Sequence, residues 1–302
     1  MLGSGSSGST RDPAPMIVVK VGGSSWIDRR AVASDIASVA ASGEQVVLVH
    51  GASAETDALA TRLGHPPRTV VSPSGQQSRR TDRRTLELFA MAALGVETFS
   101  YVELLRASGA PAIGLFGILS GPRKNVRAVE GEKVVLLRDD YTGKVDTIDR
   151  EALRAMLDQR KVPVLPPLAV SGEGEGLNVD GDRAAAAVAA ALGATALVIL
   201  TNVPGLLRSV EDPASLVPEA TLDEADALAE GRMKKKTMAA REAIDGGVRD
   251  VIIASGRVAR PLTGALAGAG TRIHSDARSG EALPRARVLD LVEPRSARPG
   301  DE

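Results

Sequence analysis

Residues 16–23, Met-Ile-Val-Val-Lys-Val-Gly-Gly, form an apolar run that ends in two glycines. A continuous run of β-branched residues is typical of a strand in a parallel sheet that is covered on both faces. Lys20 interrupts this run, and burying its ammonium group is costly unless an anion meets it. The stretch therefore predicts a strand of a parallel sheet with a charged group near its carboxyl end.

Similar short apolar runs recur along the chain and alternate with segments of helical periodicity. This alternation predicts an α/β fold, a three-layer αβα sandwich around a mainly parallel sheet. The predicted strands are Met16–Val21, Val46–His50, Ala112–Phe116, Val162–Leu165, Ala196–Thr201 and Val251–Ala254. The predicted helices are Thr81–Ala107, Arg150–Gln159, Asp182–Leu192, Lys234–Asp245 and Pro261–Ala267. We also expect a small inserted hairpin, formed by Lys133–Arg138 and Val145–Ile148.

The two ends of the chain differ in composition from the part between them. Residues 1–15 are rich in Gly and Ser and lack the apolar core of a signal peptide, so they predict a flexible extension ahead of Met16. Residues 276–302 are rich in Arg, Pro and Gly and predict a loosely held tail. Ser171–Gly176 is the best candidate for an internal boundary, although one sheet can also run across it.

The composition excludes several classes of function. The chain of 302 residues has 37 Lys and Arg against 38 Asp and Glu, and its net charge of −1 lacks the positive excess of a nucleic-acid-binding protein. The absence of Cys excludes disulfides, Cys-ligated zinc and thiol nucleophiles. No run approaches the ~18 apolar residues of a membrane span. Chemistry must therefore come from Lys, Arg, carboxylates, hydroxyls and backbone amides.

Small residues follow the first two predicted strands. Gly22 and Gly23 come after the first strand, and Gly51 and Ala52 come after His50. Such turns let backbone N–H groups approach a phosphate closely. Each turn also has an ordinary interpretation, as a glycine turn after an edge strand or as a simple βα connection, and neither is a P-loop. His50 by itself is more often a packed residue than a catalyst.

Charged residues precede two of the predicted helices. Asn178, Asp180 and Asp182 alternate ahead of an Ala-rich helix, and a single N-cap does not account for all three. Lys236 closes a run of three lysines that opens the next helix, where the helix dipole disfavours cations unless an anion shares the site. Together with Lys20, these residues predict a phosphoryl-transfer site. In such a site the lysines neutralise charge, backbone amides hold the phosphoryl group, and an Asp orients the lysines or holds Mg²⁺.

The ordered set of motifs resembles that of the amino acid kinase family, which includes acetylglutamate kinase. The motifs are KVGG at Lys20, HG at His50, SRRT at Ser78, NVDGD at Asn178, TNVPGLL at Thr201 and RMKKK at Arg232. Within the family, the chain is most similar to the kinases that act on amino-group carrier proteins of the LysW type. The segments that carry this closer similarity are Val71–Gly75 with Ser78 and Arg79, Tyr141–Val145 and Leu177–Asp182.

The resemblance covers nearly all of Met16–Ser275 and implies a carbamate kinase-like fold, with a substrate lobe at residues 16–170 and a nucleotide lobe at 171–275. It implies that ATP, with Mg²⁺, phosphorylates the side-chain carboxylate of an aminoadipate or glutamate. That amino acid would be attached to a small acidic carrier protein, in the biosynthesis of lysine, arginine or a related diamino acid. A homodimer and a cytoplasmic location are the corresponding family expectations.

The resemblance also implies roles for individual residues. Lys20 and Lys236 would flank the transferring phosphoryl group, with Asp182 holding both lysines and Mg²⁺ arriving near Asp182 with ATP rather than in a separate metal site. The residues implied to supply backbone amides are Gly22, Gly23, Gly51 and Ala52, the last two on the substrate side. Arg79 and Asn178 would bind the main-chain end of the amino acid substrate. The residues implied to line the ATP pocket are Thr201, Asn202, Gly205, Leu206 and Met233.

The sequence departs from the family pattern at two places. Ala52 and Ser53 stand where the family usually has two further glycines, and a positive φ would strain Ala52. Asn202 stands where the nucleotide loop usually has Asp. Two alternatives therefore accompany the carrier-linked kinase: an acetylglutamate kinase acting on the free substrate, and a nucleotide- or amino-acid-binding pseudokinase. A basic rim is expected to recognise the acidic carrier, formed by Arg80, Arg83, Arg84, Arg123, Lys124 and Arg127.

Overall fold

The computed structural model describes residues 15–75 and 77–275, and the expectations for residues 1–14 and 276–302 lie outside them. The strands are β1 (Met16–Val21), β2 (Gln45–His50), β3 (Thr69–Val71), β4 (Gln77–Arg79), β5 (Ala112–Gly114), β6 (Leu119–Ser120), β7 (Arg127–Glu130), β8 (Lys133–Leu136), β9 (Thr147–Ile148), β10 (Val162–Leu165), β11 (Leu168–Val170), β12 (Gly176–Asn178), β13 (Ala196–Thr201), β14 (Glu219–Thr221), β15 (Asp250–Ser255) and β16 (Thr271–His274). The helices are α1 (Arg29–Ala41), α2 (Ser53–Arg62), α3 (Arg83–Ala90), a π-helical segment (Met91–Thr98), α4 (Phe99–Ala107), α5 (Arg150–Asp158), α6 (Gly181–Leu192), a 3₁₀ turn (Pro213–Ser215), α7 (Leu222–Leu228), α8 (Met233–Asp245) and α9 (Pro261–Leu266).

An eight-stranded sheet forms the centre of the fold, in the order β14-β16-β15-β13-β1-β2-β10-β5. Its neighbouring strands pair in parallel, except for β15 and β16, which are antiparallel. All six predicted strands lie in this sheet, which confirms the predicted α/β fold with a mainly parallel sheet. The sheet runs unbroken across the Ser171–Gly176 boundary, because β13 pairs directly with β1.

Side chains of each central strand alternate between two apolar layers, which explains why the strands are apolar along their whole length. Val18 faces the layer that contains α5, α6, α7 and α8, whereas Val19 faces the layer that contains α1, α4 and α9. Both side chains are completely buried. Because both faces of the sheet are covered, ligands can reach it only at an edge, and the carboxyl ends of the parallel strands form the customary edge.

The prediction that Lys133–Arg138 and Val145–Ile148 form a hairpin is wrong. Lys133–Leu136 (β8) pairs with the preceding segment Arg127–Glu130 (β7) rather than with Val145–Ile148. Gly131 takes a φ of 62° in the short connection between β7 and β8, a conformation that glycine adopts without strain. Thr147–Ile148 (β9) instead pairs with β6 in a second, four-stranded sheet, ordered β12-β11-β6-β9. The short glycine turn therefore favours pairing of β8 with the adjacent β7 over pairing with the more distant apolar run Val145–Ile148.

The helix predicted over Thr81–Ala107 starts at Arg83 and includes the π-helical segment, which the sequence did not predict. By length and composition alone, this 25-residue helix is long and apolar enough to cross a membrane, although no uninterrupted apolar run in it approaches the length of a span. In the structure, 44% of its most apolar window is buried within the fold, where it packs against α1, α2 and β5. Core helices of globular domains have the same properties.

A hydrogen bond joins the π-helical segment to the end of β2. The Thr98 hydroxyl donates to the carbonyl oxygen of Ala93 (2.9 Å) and lies within hydrogen-bond distance of Nε2 of His50, 2.8 Å away. His50 is completely buried and stacks on Tyr101, with 5.7 Å between the ring centroids. Since Gly51 follows His50, this contact fixes the loop that leaves β2. The interpretation of His50 as a packed, hydrogen-bonded residue is confirmed.

We expect His50 to make the free energy of unfolding depend on pH. Burial lowers the pKa of folded His50 from 6.5 to about 4, so the unfolded chain binds a proton below pH 6.5 that the folded protein excludes. This contribution is fully present above pH 6.5 and is lost as the pH falls through the range down to about 4. The expected loss between pH 7 and pH 5 is about 2 kcal/mol, measured by urea unfolding at both values. In His50→Asn the difference between pH 7 and pH 5 should shrink by about that amount, and an unchanged difference would contradict the assignment.

Candidate active site

The loops that follow β1 and β2 meet at the carboxyl edge of the sheet. The two strands are parallel neighbours, and Val21 lies opposite His50 in their register. A Cβ atom on Gly23 would lie 2.6 Å from the backbone nitrogen of Ser53, and one on Gly51 would lie 2.5 Å from the backbone nitrogen of Gly23. Both positions therefore require glycine, because the two backbones are in direct contact.

Two of the four predicted amide donors are already occupied. The amide of Gly22 donates to the carbonyl oxygen of Leu200 (3.0 Å), and the amide of Gly51 donates to that of Val21 (2.8 Å). These two residues therefore shape the loops but cannot also donate to a phosphate, which corrects the sequence-based assignment. Among the described residues, no acceptor is recorded for the amides of Gly23 and Ala52. Ala52 is the N-cap residue of α2, which has no side-chain cap, and Gly23 lies against it from the loop after β1, so the two amides can form a cradle for an anion.

Ala52 and Ser53 fit this cradle without strain. Ala52 has a φ of −139°, so it does not need the left-handed conformation that a glycine would allow. Its methyl group is buried in an apolar cluster with Leu86, Phe89 and Leu168. The Ser53 hydroxyl donates to the carbonyl oxygen of Gly23 (2.9 Å), beside the amide of Ala54 (2.8 Å). Ser53 thus fastens the two loops together, and Ala52 packs into the neighbouring apolar cluster.

A buried group of three charges lies at this edge of the sheet. Nζ of Lys20, on β1, lies 2.6 Å from Oδ1 of Asp182, in the first turn of α6. Nζ of Lys236, in the first turn of α8, lies 2.9 Å from Oδ2 of the same carboxylate. The Lys20 and Asp182 side chains are only 8% and 9% exposed, and that of Lys236 is 13% exposed. The three residues predicted to carry the chemistry are therefore in contact.

The neighbouring Asp180 has a different role. Its Oδ1 accepts from the amides of Asp182 (3.0 Å) and Arg183 (3.2 Å) and thereby caps α6. A single N-cap is therefore present, as the sequence allowed, and it is Asp180 rather than Asp182. The cap leaves the Asp182 carboxylate free to face the two lysines.

The charges of this group determine one another's protonation. Burial alone would raise the pKa of the Asp182 carboxyl, but the Lys20 and Lys236 ammonium groups outweigh it and hold that pKa well below its usual range. Burial lowers the pKa of Lys236, the charge of Lys20 lowers it further, and Asp182 opposes both effects. Two ammonium groups around one carboxylate leave a net charge of +1 in a largely dry site. This excess favours an anionic ligand.

The residues at Asp182 do not fit a magnesium ion held by the protein. Both carboxylate oxygens face ammonium groups, and a divalent cation would have to displace one of them. Within residues 15–75 and 77–275, no group of three His, Cys, Asp or Glu side chains is placed to hold a metal ion. The expectation of Mg²⁺ near Asp182 therefore finds no support in the ligand set.

The two predicted substrate-binding residues lie on neighbouring parts of the fold. Arg79, on β4, pairs with the carboxylate of Asp57 and donates to the carbonyl oxygen of Ser53 (3.3 Å). The side-chain amide of Asn178, on β12, donates to the Thr81 hydroxyl (3.1 Å). Arg79 thus reaches the first turn of α2, and Asn178 contacts the segment that follows β4.

The sequence did not single out Asp57 and Asp140, which organise the substrate side together with Thr81 of the SRRT motif. Asp140 is completely buried and accepts from the amides of Thr81 and Thr142, each at 3.0 Å. The carboxylate thereby ties the segment after β4 to the segment around Tyr141. No local pattern marks such a residue, because its two partners are separated by about 60 positions in the chain.

The predicted nucleotide-binding residues are only partly available to a ligand. Thr201 ends β13 beside the exposed Asn202, to which its hydroxyl donates (3.3 Å). Leu206, in contrast, is a core residue that is 1% exposed, and its amide donates to the Thr271 hydroxyl (2.8 Å). A Cβ on Gly205 would lie 2.6 Å from the same hydroxyl oxygen. Leu206 and Gly205 therefore anchor the loop rather than line a pocket, and Met233 is half-buried at the start of α8.

The expected basic rim is mostly neutralised within the chain. Arg80 pairs with Asp139 and Asp140, and Arg83 and Arg84 both lie near Glu87. Arg123 stacks on the Tyr141 ring at 4.2 Å and lies 3.6 Å from Glu175. Lys124 is half-buried, and burial together with the charge of Arg183 lowers its pKa. Of these six residues, only Arg127 is both exposed and without a recorded side-chain partner in the described part of the chain.

A cavity lies away from this site. It has a volume of about 240 Å³ and opens at the amino ends of β2 and β10, between Glu44, Arg160 and Lys161. Because Lys20 and Asp182 lie at the carboxyl edge of the same sheet, this cavity is at the opposite edge.

Comparisons with known proteins agree with this geometry. The sequence profile described as the amino acid kinase family matches residues 15–255. A [LysW]-aminoadipate kinase of Thermus thermophilus is 49% identical over 266 residues, which cover 85% of this chain and 99% of that protein. A [LysW]-aminoadipate kinase of Deinococcus radiodurans is 48% identical over 264 residues, 85% of this chain and 90% of that protein.

Two solved structures share the fold. An N-acetylglutamate synthase of Neisseria gonorrhoeae, complexed with coenzyme A and N-acetyl-glutamate, has a TM-score of 0.72 and 28% identity over 87% of this chain, which spans only 60% of that one. A carbamate kinase of Giardia lamblia bound to AMP-PNP has a TM-score of 0.64 and 18% identity over 87% of this chain and 99% of that one. This likeness confirms the predicted carbamate kinase-like fold. With the family profile matched over most of its length, and with relatives near half identity over almost their full length, this chain belongs to the amino acid kinase family.

Proposed function

We propose that the protein transfers the γ-phosphoryl group of ATP to the side-chain carboxylate of a 2-aminoadipate or glutamate that is attached to a LysW-type carrier protein. The observation that carries this proposal is the buried group Lys20–Asp182–Lys236 beside the free amides of Gly23 and Ala52. The names of the two relatives near half identity support the carrier-linked substrate. The reaction belongs to the phosphotransferases that have a carboxyl group as acceptor, and we expect it to take place in the cytoplasm, where ATP is available.

The proposed reaction needs no general base. A side-chain carboxylic acid has a pKa near 4.3, so the acceptor is already ionised at neutral pH. One carboxylate oxygen forms a bond to the γ-phosphorus, the bond from phosphorus to the bridging oxygen breaks, and ADP leaves with the electron pair. The products are an acyl phosphate and ADP. Catalysis therefore depends on alignment and on neutralising the phosphoryl oxygens.

Each part of the site has one task in this proposal. The ammonium groups of Lys20 and Lys236 neutralise charge from two sides, and Asp182 fixes their separation. The amides of Gly23 and Ala52 donate to phosphoryl oxygens at the start of α2. Mg²⁺ would accompany the nucleotide, held by its phosphates, since the side chains around Asp182 do not fit it. Arg79 and Asn178 would orient the amino acid.

The carrier-linked substrate and a free acetylated one can be separated by trapping the acyl phosphate with hydroxylamine. We expect hydroxamate to form when ATP is supplied with LysW bearing 2-aminoadipate or glutamate, and to form much more slowly with free N-acetylglutamate. Preference for N-acetylglutamate would instead favour the acetylglutamate kinase alternative. ATP binding without hydroxamate on any of these acceptors would contradict the kinase and favour a pseudokinase.

Asp182→Asn should lower kcat by roughly 10²–10³, because the two ammonium groups lose the charge that holds them in place. Without that carboxylate the pKa of Lys236 should fall further, so the alkaline limb of the profile of kcat against pH should move to lower pH. Steady-state kinetics between pH 6 and pH 10 measures both effects. The matched control is Asp180→Asn, which keeps a good N-cap on α6 and should retain most activity. Equal kinetics for the two variants would refute the role of Asp182.

Gly23→Ala should lower kcat/KM by at least about 10², because a Cβ there collides with the backbone of the opposite loop and displaces the cradle. Gly22→Ala is the matched control, since a Cβ at that position meets only the flexible end of Ile27, at 3.2 Å, and the carbonyl oxygen of Leu200, at 3.6 Å. ATP affinity and turnover of both variants should be compared. Tolerance of alanine at Gly23 would show that the two loops are not held in this contact.

The homodimer expected from the family stays a prediction. Met91 and Phe99, on the long helix Arg83–Ala107, are 50% and 58% exposed, and Phe116 follows the edge strand β5 with 52% exposure. Large apolar side chains beside an open strand edge favour association between copies of a chain. The division into a substrate lobe and a nucleotide lobe at about residue 170 likewise stays a prediction.

A further inference from the structure

The hairpin β7–β8 exposes aliphatic side chains on one of its faces. Opposed residues of an antiparallel pair share a face, so Arg127 with Leu136 and Val129 with Val134 form one side. Val129, Val134 and Leu136 are 42%, 56% and 47% exposed, respectively. On the other side, Ala128 is buried against the protein. We call Arg127, Val129, Val134 and Leu136 the hairpin face.

An exposed apolar face of this kind is unusual for a two-stranded ribbon. Such a ribbon is only marginally stable in water without a layer packed against it. Packing of its inner side accounts for its attachment but not for three large aliphatic side chains that point outward. Contiguous exposed apolar side chains with a polar margin are typical of an interaction surface.

The hairpin is joined to the substrate side of the candidate site. β7 lies beside β3, and β3 pairs with β4, the strand that carries Arg79. Just before β7, the amide of Lys124 donates to the carbonyl oxygen of Thr142 (2.8 Å), and the amide of Gly143 donates to that of Asn178 (2.9 Å). A short series of backbone contacts therefore connects the hairpin face with both predicted substrate-binding residues.

The charges around the hairpin face are mostly basic. Arg127, Lys133 and Arg138 are exposed, and no ion pair is recorded for their side chains in residues 15–75 and 77–275. Glu130 and Glu132 lie near the turn and offset part of this charge. Of the predicted rim residues, Arg127 is exposed without a recorded side-chain partner in the described residues, and it lies in the hairpin face itself. A partner with carboxylates around an apolar centre would match this surface.

We propose that the hairpin face docks the carrier protein, a small protein that presents aliphatic side chains surrounded by carboxylates. This inference rests on the proposed function, since it supplies the surface by which a carrier-linked substrate is recognised. Val129, Val134 and Leu136 pack against the apolar centre of the carrier, and Arg127 pairs with a carboxylate at its margin.

Val134→Glu should test this docking. The substitution places a carboxylate in the apolar face and against an acidic partner, so KM for LysW bearing 2-aminoadipate should rise at least about tenfold, with kcat at saturating carrier unchanged. The matched control is Val210→Glu, which changes the same residue type at a position that is 72% exposed and lies after the nucleotide loop. It should leave KM for the carrier unchanged. Thermal unfolding of both variants should match that of the unmodified chain.

A second variant, Arg127→Gln, tests the docking without changing the aliphatic residues, in case Val134→Glu disturbs the folding of the hairpin. Arg127→Gln keeps the aliphatic residues and should reduce the dependence of kcat/KM on salt concentration. Equal KM values for Val134→Glu and Val210→Glu, with an active unmodified chain, would overturn the docking proposal and leave the proposed function intact. Absence of acyl phosphate on the loaded carrier with the unmodified chain would instead overturn the proposed function. If Val134→Glu changes the sedimentation coefficient and leaves KM unchanged, the face binds a second copy of the chain, and the proposal fails.

Discussion

Two lysine ammonium groups share one buried carboxylate, and the rest of the candidate site is arranged around this contact. Burial and the charge of Lys20 both lower the pKa of Lys236, and the Asp182 carboxylate, which contacts both ammonium groups, opposes this effect. One carboxylate cannot neutralise two cations, so a positive charge remains. A ligand that brings negative charge completes the balance. The electrostatic energy of the site is therefore lowest when an anionic group is bound beside the two lysines.

The fold supplies this contact through close packing at the centre of the sheet. α6 lies over β1, and its buried face consists largely of alanines, including Ala184, Ala185 and Ala186. Small side chains let the helix approach the strand closely, and Asp182 in its first turn then reaches Lys20. Larger residues on this face would lift α6 from the sheet and separate the charges. The high Ala content of the helix is thus a requirement of the site as well as of the core.

The sequence predicted those parts of the molecule that depend on local pattern. Continuous apolar runs identified the strands of the central sheet, because such runs arise when a strand is buried on both faces. The lysines and Asp182 could also be found, since charged residues in or beside such segments need a partner. What could not be predicted depends on contacts between distant segments. The occupied amides of Gly22 and Gly51, the pair Arg79–Asp57 and the role of Asp140 all involve partners that no local spacing indicates. The sequence did not predict the pairing of β8 with β7, because the apolar run Val145–Ile148 looked equally suitable as a partner and the short turn at Gly131 decides between the two.

The two ends of the candidate site are held by different kinds of interaction, and this difference has a consequence for specificity. The phosphoryl end consists of buried charges and of backbones in direct contact, which leave no freedom to adapt. The substrate end relies on ion pairs with exposed partners, since the Asp57 and Asp139 carboxylates that face Arg79 and Arg80 are 47% and 69% exposed. Such pairs contribute about 0–1 kcal/mol each and exchange readily for another carboxylate. A substrate carboxylate can therefore take the place of Asp57 at Arg79 at small cost. The reaction chemistry is fixed by the core of the protein, whereas the choice of acceptor is left to its surface.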